Sequence, residues 1–255
     1  MVKLKTEKEI EIMKEGGQRH AEILRELATL CKPGVSTLVV EEESLRMIKE
    51  NGGKPAFLGY KPMGADRPFP ASICISINDE IVHGIPNETA RILREGDIVG
   101  LDLGITREGL ITDAAITVPV GTVDDESQRL IDVTRDALMA GIEAAKPGNT
   151  IGDIGAAINA VIGPTGFKLA EDLVGHGVGY KVHEDPYVPN VGIAGTGEKI
   201  VPGMVLALEP MVNAGTSKIK IMDDGYTIKT RDGSRSAHFE HTIAITEKGN
   251  IILTS

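Results

Sequence analysis

Apolar and polar positions make their clearest pattern across residues 97–118, where DIVGLDLGI and LITDAAITV flank TREG. Both runs are apolar and rich in β-branched residues, and Gly109 lies between them. That combination predicts two antiparallel strands joined by a tight turn. A two-residue turn at Arg107-Glu108, or a four-residue loop from Thr106 to Gly109, places Thr106 opposite Gly109, Ile105 opposite Leu110 and Asp102 opposite Asp113. A three-residue loop would move the register by one. Directly paired residues share a face, with Cβ atoms roughly 4.5–5.5 Å apart. Two carboxylates so placed inside apolar strands repel each other unless a cation lies between them.

Upstream, Thr6-Glu7-Lys8-Glu9 forms a capping box. It opens a helix to about Leu30 whose apolar side is Ile10, Met13, Ile23, Leu24, Leu27 and Leu30. Gly16-Gly17 weakens its middle and predicts a close contact there. Lys32-Pro33-Gly34 stops it, and Ser36 or Thr37 caps a second helix that ends near Gly52-Gly53. A Pro- and Gly-rich stretch follows, containing Phe57, Tyr60 and Phe69 out of the chain's four Phe and four Tyr. It reads equally as a wandering loop or as the rim of a pocket. A strand from Ser72 to Ile77, a turn at Asn78-Asp79-Glu80, and a helix from about Asp125 to Ala145 complete the pattern around the hairpin.

The chain then repeats itself. Lys146-Pro147-Gly148 matches Lys32-Pro33-Gly34, each between two helices. GDIVGLD (96–102) aligns with GMVLALE (203–209), and DAAITV (113–118) with EHTIAI (240–245). The alignment puts Glu209 where Asp102 sits and Glu240 where Asp113 sits. These matches predict one α/β (α+β) domain over residues 1–255, with pseudo-symmetric halves at about 1–122 and 123–255. Its mixed, mostly antiparallel sheet would be backed by two helix pairs.

Composition narrows the chemistry. The net charge of −10 argues against a nucleic-acid groove. Cys31 and Cys74 make no disulfide framework. No stretch approaches the ~20 apolar residues of a membrane span, and the charged N-terminus lacks the apolar core of a signal peptide. The expectation is a soluble cytoplasmic protein. Four acids buried in apolar strands would cost several kcal/mol per ion if uncompensated. Two divalent cations would neutralise them, as in metal pairs held ~3.5–4 Å apart. A nitrogen ligand is available in VGHGVG, where glycines on both sides of His176 let other backbone approach. His83 in VHGIP and His183 in VHEDP precede prolines; each is a turn residue or a proton or hydrogen-bond donor beside the metals. His241 should face away from Glu240, and His20 and His238 are expected to be exposed. One nitrogen with several carboxylates suits Mn, Fe, Co or Zn better than copper. The residues alone therefore predict a two-metal hydrolase of unknown substrate.

The stretches INDEIVHGIP (77–86), DIVGLDLGITREGLITDAAITV (97–118), GHGVGYKVHEDP (175–186), GMVLALEPM (203–211) and FEHTIAIT (239–246) resemble the methionine aminopeptidases, over nearly the whole chain. The resemblance implies the pita-bread fold. It implies five metal ligands: Asp113 and Glu240 bridging, Asp102 completing one metal, His176 with Glu209 completing the other. It implies two divalent ions (Co, Mn, Fe or Zn), a hydroxide between them attacking the first peptide carbonyl, and Glu209 as proton shuttle. By the same resemblance His83 contacts the scissile amide and His183 the substrate carbonyl. The methionine pocket maps onto Phe57, Tyr60, Phe69, Cys74, His83, Val182 and Tyr226. The chain departs from the commonest bacterial pattern at Phe57 (frequently Cys), Val182 (frequently Phe) and Tyr226 (frequently Trp), and residues 61–68 look a few residues longer. The short spacing from Glu209 to Glu240 and the absence of a zinc-binding extension are similar to a minimal type I enzyme. The implied substrates are N-terminal Met peptides and nascent chains at the ribosome, with a small second residue preferred. No nucleic-acid or membrane partner is implied, and the family habit is a monomer. The nearest rivals are the proline-specific peptidases, prolidase and aminopeptidase P, which usually carry a separate N-terminal domain. A non-catalytic binding relative would have lost ligands, and all five are present. A creatinase-like hydrolase of a small molecule meets the same size objection as prolidase.

Overall fold

The computed structural model describes residues 2–255. Its helices are α1 (Glu7–Leu30), α2 (Thr37–Glu50), α3 (Asp125–Ala144) and α4 (Ile151–Ile162). Its strands are β1 (Lys54–Pro55), β2 (Ile73–Ile77), β3 (Glu80–Val82), β4 (Ile98–Arg107), β5 (Leu110–Pro119), β6 (Lys168–Leu169), β7 (Val174–Gly177), β8 (Glu184–Pro189), β9 (Val205–Leu208), β10 (Met211–Asn213), β11 (Ile219–Ile221), β12 (Ile228–Thr230), β13 (Ser236–His238), β14 (Glu240–Thr246) and β15 (Gly249–Ile252).

The capping box at Thr6 and Glu9 forms as the sequence predicts, and Ser36 caps α2. Both caps satisfy backbone N–H groups that a helix start leaves without partners. Gly17 lies so close to the chain end that a Cβ would sit 2.2 Å from the Leu253 carbonyl oxygen. Of the glycine pair in the middle of α1, Gly17 therefore serves a close backbone approach, while a Cβ at Gly16 would meet the Arg107 side chain at an ordinary 3.6 Å.

A nine-stranded sheet runs β1-β4-β5-β14-β9-β7-β8, with β2 also on β4 and β15 on β14. Its pairings are antiparallel. The order β4-β5-β14-β9 sets the two repeated strand pairs head to head, so the pseudo-two-fold relation passes between β5 and β14. Val99, Leu101, Leu103 and Ile105 of β4 pack with Leu24 and Leu27 of α1 and Val40 and Ile48 of α2. Leu206 and Leu208 of β9 and Ile243 and Ile245 of β14 pack with Leu138 of α3 and Ile154 of α4. Each half thus covers one sheet face with a helix pair, and the curled sheet leaves its other face for a site.

The hairpin register differs from the expectation. Arg107 pairs with Leu110 and Asp102 with Ala115, while Asp113 lies opposite Gly104. The turn residues are Glu108 and Gly109, at φ 50 and φ 81. A two-residue turn with positive φ at both positions matches the strand twist, and glycine fits it without strain. That choice moves the register by two residues, which leaves each Asp on the face expected for it. The two acids are diagonal neighbours rather than direct partners.

Candidate metal centre and active site

Pairing carries the acids to one face. Asp102 pairs with Ala115, and Ala115 pairs with Glu240 on the other side. Asp113 is two residues before Ala115, so it shares that face. His176 pairs with Ala207, and Ala207 with Thr242, two residues after Glu240. Glu209 follows the end of β9, two residues beyond Ala207. Four strands and one strand end thereby aim five ligand-type side chains at one point. The glycines around His176 permit this. A Cβ at Gly175 would meet the Ala207 carbonyl oxygen at 2.4 Å, and one at Gly177 the Asp185 carbonyl oxygen at 2.2 Å.

Asp102, Asp113, His176 and Glu240 are buried. Ligand atoms of Asp113, His176 and Glu240 lie within 4.8 Å of one another. Asp102 Oδ1, Asp113 Oδ1 and Glu240 Oε1 are buried with no hydrogen-bond partner among the described residues. A buried carboxylate oxygen without a partner costs free energy that a cation would recover. His176 Nδ1 donates to the Gly177 carbonyl at 3.0 Å, which turns Nε2 towards the acids. His176 Nε2 stands 3.3 Å from Glu209 Oε1. The donor set fits a divalent cation.

The electrostatics agree. Burial, then the Asp102 and Glu209 charges, pushes Asp113 well above the usual carboxylate range. Burial, then Asp113 and Glu209, does the same to Glu240. Burial raises Asp102 to about 6, against the pull of His238. Glu209 behaves differently. Burial opposes its ionisation, but the neighbouring His176 and His238 rings prevail and hold it down at about 2. Among four clustered acids, then, one is kept ionised and three resist ionisation until a cation compensates them.

These groups share a cavity of about 280 Å³ with the predicted pocket residues. Its walls are Phe57, Tyr60, Phe69, Cys74, Val182 and Tyr226, with His83 and His183 beside the acids. Apart from Tyr60 and the histidines, these form one small buried apolar cluster with Ala71 and Ile85. Phe69 and Tyr226 meet edge to face at 5.2 Å. The Tyr226 hydroxyl donates to the Arg67 carbonyl, tying the 61–68 segment to the pocket. His83 holds a left-handed backbone at φ 60, uncommon for a residue other than glycine. Burial lowers its pKa, against Glu209. His183 is exposed at the mouth, 4.5 Å ring to ring from His176, with Nδ1 2.9 Å from the Tyr60 hydroxyl. Desolvation, then His176, lowers it to about 4. Burial and then the Asp102 and Asp113 charges push the Cys74 thiol far up, so it serves as a small apolar wall.

Two expectations are corrected. His20 and His238 are not exposed; both are buried. His20 is on the buried face of α1, with Nδ1 3.0 Å from the Thr112 hydroxyl. His238 belongs to the site, its Nε2 3.6 Å from Glu209 Oε2. The signal for it was present in the sequence. His238 is two residues before Glu240, and alternation along extended chain points both the same way, although His238 ends β13 and Glu240 begins β14. His241 does face the other way, with Nδ1 3.0 Å from the Thr254 hydroxyl.

The comparisons agree with this geometry. Residues 11–247 match the model of metallopeptidase family M24. The chain is 46% identical over 256 residues to methionine aminopeptidase of Aquifex aeolicus, covering 99% of this chain and 98% of that one. The crystal structure of methionine aminopeptidase from Thermotoga maritima superposes with a TM-score of 0.95 at 44% identity, covering 100% of both chains. A prolidase from Pyrococcus horikoshii shares the fold alone, with a TM-score of 0.73, 23% identity and 63% of that chain covered. The site and fold are those of a metallopeptidase, and the chain belongs to family M24. Within that family its place is among the methionine aminopeptidases.

Proposed function

We propose that the chain removes the N-terminal methionine from peptides and nascent proteins by metal-assisted hydrolysis of the first peptide bond, with a small second residue preferred. One observation carries the reading. A single cavity joins buried carboxylate oxygens that lack partners to an apolar pocket.

Asp102, Asp113, His176, Glu209 and Glu240 would hold two divalent cations. Such a pair, when bound, lowers the pKa of a water and polarises a carbonyl. The chain's own groups do the rest. Glu209 can accept a proton from water and return it to the leaving nitrogen. His83 and His183, both held towards the neutral form, can donate hydrogen bonds to the scissile amide and the carbonyl without adding charge. Phe69 and Tyr226 offer ring edges to a methionine sulfur, and Cys74 and Val182 leave room for an unbranched chain. The substrate's free α-amine meets the acid-lined floor, which selects chain termini.

The test is the N-terminal residue released from Met-Ala-Ser, Leu-Ala-Ser and Ala-Pro-Ser by the metal-loaded chain. The expected result is release of methionine alone. Cleavage of the Ala-Pro bond would replace this reading with a proline peptidase.

A further inference from the structure

The N-terminal segment packs against the turn that carries His183, and it does so through a buried ion pair. The Lys5 Nζ lies 2.6 Å from Glu184 Oε2, and both side chains are buried, at 1% and 6% exposure. The other Glu184 oxygen accepts the Lys181 backbone N–H at 2.8 Å. Glu184 therefore closes the 181–184 turn on itself with one oxygen and ties it to Lys5 with the other. Val182 and His183 are the two residues that turn presents to the cavity.

Lys5 is itself held in place. Its backbone N–H donates to the Gly203 carbonyl at 2.7 Å, at the entry to β9. Its ammonium is 4.8 Å from the Tyr180 ring centre. Its stem crosses Gly179 so closely that a Cβ there would sit 2.5 Å from Lys5 Cε. The Tyr180 hydroxyl in turn donates to Glu9 at 2.8 Å, and Glu9 is the capping-box residue of α1. The start of α1, the segment before it and the His183 turn thus form one connected polar assembly outside the cavity. On the cavity side His183 meets Tyr60 and the His176 ring.

We infer that Lys5 is a positioning residue: through Glu184 it fixes the turn that aims His183 at the substrate carbonyl. The inference rests on the role given to His183 above. Lys5 touches neither substrate nor metal ligands, so it acts on turnover through the 181–184 turn, with Val182 shaping the pocket and His183 the group whose loss should lower kcat.

The experiment is a double-mutant cycle on the metal-loaded full chain with Met-Ala-Ser. It uses Lys5→Met, Lys5→Arg, His183→Ala and Lys5→Met/His183→Ala. Lys5→Met/Glu184→Gln is added so that no unpaired charge is buried. Melting curves confirm folding. Lys5→Met and the neutral pair should each lower kcat about tenfold or more, as small misplacements of a catalytic group do, with KM changed less. Lys5→Arg should recover most of the loss. In the His183→Ala background, Lys5→Met should lower kcat by less than about twofold, because residues acting as a unit are not additive. If His183→Ala is impaired but the folded neutral pair keeps the parent kcat, the positioning role is wrong while the site reading stands. Losses that multiply across the cycle also overturn it, since Lys5 would then act elsewhere. A fully active His183→Ala would sink the role of His183 and this inference together.

Discussion

Asp113 illustrates what a single position can disclose. Its place in an apolar strand marks it as costly, and the structure shows why: one of its oxygens is buried without a partner, beside His176 and Glu240. Asp113→Asn keeps the shape but removes the charge that a shared cation needs. It should retain the fold, bind less Mn by equilibrium dialysis, and lose about 10²–10³ in kcat, the range for removing a central electrostatic group. His238 was equally legible and was missed, because a lone histidine with no motif around it suggests nothing until alternation is counted back from Glu240. Its ring is one of two that hold Glu209 ionised. His238→Ala should therefore let the Glu209 pKa rise and move the acid limb of the kcat/KM profile to higher pH; an unmoved limb would remove His238 from the proton path. The pocket wall was legible only by resemblance. Nothing local in the sequence says that Phe57, Val182 and Tyr226, far apart along the chain, share one apolar cluster.

At the scale of elements, capping and periodicity were read directly. α1, α2 and α3 begin and end within a residue or two of the predicted limits, because caps and glycine stops are local chemistry. The hairpin register was not, because several turns fit TREG and the choice depends on backbone angles. The turn puts Glu108 at φ 50, a conformation asparagine adopts more readily. Glu108→Asn should raise the melting temperature slightly, with activity unchanged. Gly17 gives the opposite case. A methyl there would overlap the Leu253 carbonyl, so Gly17→Ala should destabilise the chain by about 1–3 kcal/mol, the range for overpacking. A melting curve identical to the parent's would show that α1 and the chain end do not meet as described.

For the whole molecule, two similar halves meet at β5 and β14 and enclose a charge that neither could neutralise alone. The pH dependence follows. Burial holds Asp113 and Glu240 well above the ordinary carboxylate range. Near neutral pH the metal-free folded chain therefore binds more protons than the unfolded chain, and its stability must fall as pH rises. His176, raised by Glu209 against its burial, acts in the same direction. The depressed histidines His20, His83, His183 and His241 act below about pH 6.5, the unfolded value, where they cost stability as pH falls. Between pH 6.5 and 8 the metal-stripped chain should thus lose melting temperature, and a bound cation should abolish that slope. Calorimetric titration with Mn in buffers of different ionisation enthalpy should show proton release. The central claim is that these five side chains work only with a cation between them. Its most direct test is methionine release from Met-Ala-Ser by metal-stripped chain as Mn is added back, with bound metal counted in the same samples. Release should be negligible in the stripped chain and rise with bound metal to a plateau. Full turnover by chain that carries essentially no metal would contradict the account.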